Sequence, residues 1–267
     1  MSEPDPAGFD PAWLALREPA DADARASELL DTLRAHLPPG PLVIRDLGCG
    51  TGSLRRWLAD RLPGPQHWIL HDRDPDLLAL AASDAGTVET RLGDLTELRA
   101  ADLAGTSLVA ASALLDLLTA DEVDALADAC VRAGCPALLT LSVAGRVELT
   151  PGDPLDAEVA AAFDAHQRRC DRGRRLLGPD AVAVAAEAFE RLGAAVHRGN
   201  SPWRLGADRA ELAARWLDGW VGAAREQRPD LATDEYLRRR LDACAAGELR
   251  VVVGHEDLLA LPAGGAP

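Results

Sequence analysis

Short apolar runs and longer segments with apolar residues three and four positions apart follow one another along the chain. The short runs predict strands over residues 42–47, 67–71, 88–92, 107–111, 136–143, 194–198 and 249–254. The longer segments predict helices over residues 24–37, 52–62, 75–83, 119–133, 154–169, 179–192, 207–226 and 233–246. Strands that alternate with helices in this way predict an α/β fold with a mostly parallel, seven-stranded sheet.

The spacing of these elements predicts one domain with additions. Residues 42-261 are expected to form the domain, with insertions at 146-178 and 200-247 that would provide helical caps. Residues 1-41 are expected to form a helical cap segment at the N-terminus, and residues 262-267 a frayed tail.

Charge narrows the class of partner. The 267 residues include 28 Lys and Arg against 43 Asp and Glu, a formal net charge of −15. Such a field repels a phosphate backbone and an anionic lipid surface, so we expect neither a nucleic acid nor a membrane as partner. The five cysteines have no spacing typical of a zinc site, and the chain shows neither a secretory signal nor an apolar run of membrane-spanning length. We therefore expect reduced thiols, no metal and a cytoplasmic protein.

The strongest chemical motif lies where the first predicted strand meets the next helix. It reads Asp46, Leu, Gly48, Cys49, Gly50, Thr, Gly52. Glycines at such a turn let the backbone approach a ligand closely. The spacing is Gly-x-Gly-x-Gly, whereas a dinucleotide fingerprint requires Gly-x-Gly-x-x-Gly, and a carboxylate directly before the turn disfavours phosphates. The turn therefore favours a cationic or zwitterionic ligand.

Two further acids follow the next two predicted strands. Asp72 ends the second strand, where a carboxylate can accept both hydroxyls of a ribose, and Asp94 follows the third, where it can accept a bond from an exocyclic amine. Each has a structural alternative, since Asp72 can cap the next helix and Asp94 can close an Asx-turn. Three acids at three strand ends together suit an adenosine that carries an amino acid.

With these motifs in this order, residues 42–143 resemble the class I S-adenosylmethionine-dependent methyltransferases. The resemblance implies a doubly wound, Rossmann-like sheet and S-adenosylmethionine as cofactor, with S-adenosylhomocysteine as product. It also implies that the first motif holds the methionine part, Asp72 the ribose and Asp94 the adenine. Arg17, in a segment that can fold over the cofactor, is a candidate for its carboxylate, although an ordinary surface turn is the alternative. The cofactor candidates are thus Arg17, Asp46, Gly48, Cys49, Gly50, Gly52, Asp72, Arg73, Gly93, Asp94, Leu95 and Ser112.

Residues outside these motifs are expected to choose the acceptor. Trp13, Asp116, Arg172 and Trp203 are the candidates for binding it, and His166 in the first insertion is the candidate base. Arg172 belongs to a cluster of arginines that can hold an anionic acceptor or simply form a solvated loop. After the fourth strand the chain lacks the Pro-Pro-aromatic sequence that clamps a flipped base, which disfavours base methylation.

The sequence thus predicts methyl transfer to a small-molecule acceptor, favouring oxygen of a small acid or a natural-product intermediate. This preference is an analogy with relatives of similar layout. The alternatives are a nucleotide-dependent oxidoreductase, which the glycine spacing disfavours, and a non-catalytic protein that binds the same cofactor. The sequence leaves a homodimer open.

Overall fold

The computed structural model of the chain describes residues 9–83 and 88–263. Its strands are β1 (Leu42–Leu47), β2 (Gln66–Asp72), β3 (Glu89–Leu92), β4 (Leu108–Ser112), β5 (Ala137–Thr150), β6 (Cys170–Asp171), β7 (Arg174–Arg175), β8 (Ala195–Asn200), β9 (Trp203–Leu205) and β10 (Arg250–Leu261). Its helices are α1 (Pro11–Ala24), α2 (Leu29–His36), α3 (Ser53–Ala59), α4 (Pro75–Ser83), α5 (Ala120–Arg132), α6 (Asp156–Gln167), α7 (Ala181–Arg191), α8 (Ala210–Gln227) and α9 (Thr233–Ala245).

The main sheet runs in the order β3-β2-β1-β4-β5-β10-β8, and β9 joins it by pairing with β10. Strands β1 to β5 pair in parallel, whereas β10 is antiparallel to β5, β8 and β9. The predicted α/β, Rossmann-like fold with a mostly parallel sheet is therefore confirmed. Strand β9 extends the predicted set of seven because it pairs with the first half of β10, while β8 pairs with the second half.

Helices cover both faces of the sheet, as the connections between parallel strands require. Helices α2, α3 and α4 pack on one face and α5 and α7 on the other, each around its own apolar cluster. A third cluster joins α1, α6, α8 and α9 to β9 and the first half of β10. This third layer is the cap, and it lies where the two predicted insertions and the N-terminal segment meet.

Several predicted bounds match the structure. Helix α4 has the predicted ends, and the capping box that opens α5 forms as expected. In that box Glu122 N donates to Thr119 Oγ1 at 3.3 Å, and Thr119 N donates to the Glu122 carboxylate at 2.9 Å.

Other predicted bounds are wrong. The helix expected over 24–37 is interrupted, because α1 ends at Ala24, Arg25 is extended and α2 begins at Leu29. Ala26 N donates instead to the buried Asp257 carboxylate at 2.8 Å, which gives this backbone a partner outside any helix. Strands β5 and β10 each continue well past the predicted ends at 143 and 254, because they pair with each other along most of their length.

The division into segments 1-41, 42-261 and 262-267 stays a prediction. Residues 1–8 and 264–267 of these segments lie outside the described residues. In the described parts of the chain, every helix is too short or too polar to cross a membrane.

Candidate functional site

The glycine turn after β1 has the backbone conformation that its sequence requires. Gly48, Gly50 and Gly52 have φ angles of 63°, 53° and 83°, in the left-handed region that other residues rarely adopt. A Cβ on Gly50 would lie 3.3 Å from Leu14 Cδ1 on α1. Cys49 N donates to the β2 carbonyl of His71 at 2.9 Å, which holds the turn against the next strand. The turn is thus a tight cradle with the N-terminal helix directly over it.

Asp72 connects this turn to β2. Its carboxylate accepts hydrogen bonds from Gly50 N at 2.8 Å and Asp74 N at 3.0 Å. The cap of α4 is Asp74, whose Oδ1 accepts from the N–H groups of Asp76 and Leu77. Asp72 therefore braces the glycine turn rather than capping α4, and each of its oxygens keeps a lone pair for a further donor.

Asp94 closes an Asx-turn, which is the structural alternative that the sequence offered to a role in binding adenine. Its Oδ1 accepts from Thr96 N at 2.9 Å and caps a short 3₁₀ turn, an Asx-type arrangement. That backbone N–H is the main cause of the lowered pKa of the Asp94 carboxyl. Gly93 N donates to the carbonyl of Asp72 at 3.1 Å. Asp94 and Leu95 therefore follow β3 beside the end of β2, in the place expected for the adenine side.

Asp46 is the most deeply buried acid of the turn, with 1% of its surface exposed. Neither of its carboxylate oxygens has a hydrogen-bond partner of ordinary geometry among the described residues, although the backbone N–H of Arg55 is close enough to lower the pKa of Asp46. Burial raises the pKa of Asp46 to about 7; the nearby carboxylate of Asp72 adds to this, and the cation of Arg25 opposes it. A buried carboxyl group without a hydrogen-bond partner favours the binding of a hydrogen-bond donor or a cation.

Arg25, which the sequence analysis did not select, provides the opposite charge. It is 4% exposed, its Nη2 donates to Ser112 Oγ at 3.2 Å, and its guanidinium lies 5.3 Å from the centre of the Trp57 ring. Its Nε and Nη1 are buried without a partner in the described structure. Burial lowers the pKa of Arg25 despite three neighbouring acids, Asp46 among them. One feature of the sequence could have indicated Arg25. It lies four residues before Leu29, and so on the apolar face of the helix predicted over 24–37, where a cation is unusual.

Arg17 and the two proposed tryptophans meet on the cap side. Arg17 donates from Nε and Nη2 to the Asp21 carboxylate at 2.9 and 3.2 Å, and lies over the Trp203 ring at 4.9 Å. Trp203 Nε1 donates to the same buried carboxylate at 2.9 Å, and its ring meets Trp13 edge-on at 6.3 Å. This network positions Arg17 and both tryptophans around one cavity.

That cavity measures about 200 Å³ and lies beside the carboxyl end of β4 and the middle of β5. Of the predicted acceptor residues, Trp13, Asp116 and Trp203 line it, together with Arg17. Ala113, which lines the cavity, directly follows Ser112, which contacts Arg25. The cofactor-side and cap-side groups thus lie next to each other along the sheet edge, where α/β proteins bind ligands.

Two non-glycine residues of the cavity wall have left-handed backbones. Ala113 has a φ of 52° and Leu141 a φ of 56°. The Ala113 N–H donates to the Thr140 carbonyl at 2.9 Å, and the Leu141 N–H to Asp257 Oδ1 at 2.7 Å. Each such backbone costs roughly 1–2 kcal/mol, and strain of this kind concentrates at functional sites. The wall is therefore held in shape by hydrogen bonds from neighbouring strands.

The remaining predicted residues lie outside the lining of this cavity. His166 on α6 pairs with Glu226 on α8 at 3.0 Å, and its role as a base stays a prediction. Arg172 lies on the turn between β6 and β7, and its contact with an acceptor also stays a prediction. Its neighbour Arg174 pairs with Glu122 at 2.6 Å. The histidine that does line the cavity is His255 on β10, which the sequence analysis did not select.

The described residues contain no group of three or more His, Cys, Asp or Glu side chains that could hold a metal ion. The five cysteines are free thiols, four of them buried.

Comparison with known proteins identifies the class. Residues 44–136 match a family described as a methyltransferase domain. Residues 44–136 thus match a methyltransferase domain on a Rossmann-like sheet, and this confirms the resemblance drawn from the motifs of that part of the chain.

Individual relatives match to different extents. A trans-aconitate 2-methyltransferase of Streptomyces avermitilis is 40% identical over 78 residues, which is 28% of this chain and 29% of that protein's length. The apo form of the mycolic acid cyclopropane synthase CmaA1 superposes with a TM-score of 0.50 at 13% identity, over 95% of this chain and 100% of that one. An S-adenosylmethionine-dependent methyltransferase of Geobacter sulfurreducens, solved with S-adenosylhomocysteine, gives a TM-score of 0.47 at 19% identity, over 96% and 99%.

Proposed function

We propose that this protein transfers the methyl group of S-adenosylmethionine to a small-molecule acceptor. The observation that carries the proposal is the pair of buried, incompletely bonded charges at the glycine turn, Asp46 and Arg25. They are close enough for Arg25 to lower the pKa of Asp46, yet among the described residues they form no ion pair within 4 Å. The methionine part of the cofactor carries one ammonium and one carboxylate, which are the complements of these two side chains.

The other acids suit the rest of the molecule. Asp72 would accept the ribose hydroxyls with the lone pairs that its two backbone contacts leave free. Asp94 would accept the exocyclic amine of adenine beside the end of β3, with Gly93 and Leu95 next to it. Gly48, Cys49, Gly50 and Gly52 would form the floor, since a side chain at Gly50 would approach Leu14. These residues fit the cofactor, and the roles are our proposal.

The acceptor would occupy the cavity that Ala113 lines. Its size suits a small molecule, and the net charge of −15 disfavours nucleic acid. Bound S-adenosylmethionine supplies an activated methyl group on a sulfonium sulfur. What the chain contributes is positioning of the acceptor and exclusion of water by the aromatic wall around Trp13 and Trp203. We propose oxygen as the accepting atom. The candidate acceptors are a small acid, as the name of the Streptomyces relative suggests, and a hydroxyl group of a natural-product intermediate.

The free thiols suit a reducing compartment, so a cytoplasmic location is part of the proposal.

The test compares two ligands and two variants by titration calorimetry. S-adenosylhomocysteine has the amino acid part, and 5′-methylthioadenosine lacks it. Arg25→Gln should weaken binding of S-adenosylhomocysteine by about 10- to 100-fold, the scale of hydrogen bonds to charged groups, and leave 5′-methylthioadenosine nearly unchanged. Arg34→Gln, at an exposed position of the neighbouring helix α2, is the matched control and should change neither affinity.

Each result has a separate meaning. A wild-type protein that binds no S-adenosylhomocysteine, or binds NAD instead, contradicts the proposed function. Equal losses for both ligands in Arg25→Gln would show that Arg25 supports the fold and not the amino acid part. A transfer assay with radiolabelled donor and cell-extract fractions then separates an enzyme from a non-catalytic binding protein, because only the enzyme yields a labelled product.

A further inference from the structure

The cavity contains a neutral histidine with an available lone pair. His255 is 4% exposed, and its Nδ1 lies 3.1 Å from the carbonyl oxygen of Val253. A carbonyl only accepts, so Nδ1 carries the proton and Nε2 is the acceptor. Among residues 9–83 and 88–263, Nε2 has no hydrogen-bond partner. Burial and the nearby Arg17 cation lower the pKa of His255 to about 3, so the ring is neutral at any physiological pH.

The charges around His255 do not favour an anion. Arg17 from α1 is paired with Asp21, and Arg146 from β5 lies 3.5 Å from Glu256. Asp116 after β4 and Asp164 on α6 also face the cavity, and burial raises the pKa of both carboxyls. The cations are thus at least matched by acids. Gln167 adds a buried Oε1 that has no partner in the described structure, a second free acceptor.

The walls and the volume suit a flat ring. Aromatic side chains on several sides of the cavity belong to Phe9, Trp13, Phe163, Trp203 and Trp216. An apolar protein cavity of about 150 Å³ holds benzene, so about 200 Å³ holds one ring with small substituents. Trp203 lies 5.2 Å from the His255 ring, so a bound aromatic ring would be close to Nε2.

We propose that the acceptor is an uncharged, single-ring phenol whose hydroxyl is bound by His255 Nε2. This inference rests on the proposed function. As the phenol oxygen forms its bond to the methyl carbon, the C–S bond breaks and its electron pair returns to sulfur. The phenol hydroxyl donates its hydrogen bond to Nε2 throughout. The proton moves to Nε2 only as the C–O bond forms, because the methylated oxygen is then far more acidic than the imidazolium, and it leaves to solvent after the product.

The first experiment identifies the acceptor class. Thermal shifts are measured with S-adenosylhomocysteine present, and transfer is measured with radiolabelled S-adenosylmethionine. The probes are 4-methylphenol, 4-nitrophenol, benzoate and trans-aconitate. We expect the phenols to raise the melting temperature and to yield methyl ethers, and the two carboxylates to do neither. A shift or labelled ester with a carboxylate, or no response to either phenol, overturns the inference, while binding of S-adenosylhomocysteine separately tests the proposed function.

The second experiment tests His255 with a matched substitution. His255→Asn keeps an N–H for the Val253 carbonyl and removes Nε2 from the cavity. With 4-methylphenol at pH 7, kcat should fall by about 10²- to 10⁴-fold, the usual contribution of a positioned base. The variant's rate should then rise about tenfold per pH unit as the phenol ionises in solution. Affinity for S-adenosylhomocysteine should stay within about twofold of wild type, and His197→Asn on exposed β8 should keep full activity.

An already ionised acceptor decides between a chemical and a structural role. 4-Nitrophenol, as its phenolate at pH 8.5, needs no base, so His255→Asn should methylate it at a rate within about tenfold of wild type. Equal losses with both phenols would mean that His255 only shapes the cavity. If Asp116→Asn or His166→Asn gives the pH-dependent rescue and His255→Asn does not, the proton goes elsewhere and the inference is wrong.

Discussion

Titration of Asp46 should control how tightly the cofactor binds near neutral pH. In the ligand-free protein the pKa of Asp46 is raised to about 7, chiefly by burial. An ammonium group placed beside its unbonded oxygens would favour the ionised form and lower this pKa. Binding must then release a proton whenever Asp46 starts protonated, so affinity should fall as the pH drops below 7.

The size of the effect follows from the two protonation states. If the pKa is about 7 in the free protein and about 4 or lower in the complex, the binding constant between pH 7.5 and 5.5 should fall about 25-fold, or about 1.9 kcal/mol. The same shift affects folding with the opposite slope. A carboxyl whose pKa rises from 3.8 to about 7 on folding favours the folded state at low pH, and that contribution, up to about 4 kcal/mol, is lost as pH rises from about 4 to 7.

Calorimetry at pH 5.5, 6.5 and 7.5, in buffers of different ionisation enthalpy, measures both the affinity and the protons released. Asp46→Asn should bind S-adenosylhomocysteine more weakly at pH 7.5 and show little dependence on pH. 5′-Methylthioadenosine, which has no ammonium, should bind the wild type with little dependence on pH. The same slope in wild type and Asp46→Asn would refute the reasoning, because the titrating group would then be another residue.

Two substitutions test the framework of the site by urea unfolding. Gly50→Ala should lower the free energy of unfolding by roughly 1–2 kcal/mol, because φ is 53° and the new Cβ would approach Leu14. The control Gly222→Ala, on α8 with open space around it, should raise the free energy of unfolding by roughly 0.5–1 kcal/mol. Equal effects would contradict the assigned turn. Asp257→Asn should lower the free energy of unfolding by about 1–3 kcal/mol, because an N–H of the new amide would face the backbone N–H of Ala26 or Leu141. An unchanged free energy of unfolding would mean that these contacts are not made.

The backbone geometry of the proposed cofactor side could be predicted from the sequence because its signals are local. Asp46 and the glycines after it lie within one strand, turn and helix, and the spacing alone indicates a left-handed turn. Asp72 and Asp94 end neighbouring strands, and the carboxyl ends of parallel strands meet at one edge. The capping box of Thr119 is local in the same way. Such signals need no knowledge of distant parts of the chain.

Long-range contacts explain what the sequence did not reveal. The last strand is predicted to end at residue 254, directly before the polar triplet His255, Glu256 and Asp257. In the structure the triplet continues β10, because Asp257 is bonded to the backbone of Ala26 and Leu141, far away in sequence. The same contact breaks the helix predicted over 24–37 and turns Arg25 toward Ser112. Neither Arg25 nor His255 has a local motif, so only the fold brings them to the site.

The N-terminal segment links the two halves of the site. Arg17 lines the proposed acceptor cavity, whereas Arg25, close by in sequence, lies on the proposed cofactor side. Asp257 on β10 accepts a hydrogen bond from Ala26 N with one carboxylate oxygen and from the N–H of the cavity residue Leu141 with the other. A change at Asp257 should therefore shift Arg25 and the cavity wall together. Donor affinity and acceptor KM should both change in Asp257→Asn, whereas Arg25→Gln should change donor affinity with acceptor KM nearly constant, because Arg25 contacts only the donor side.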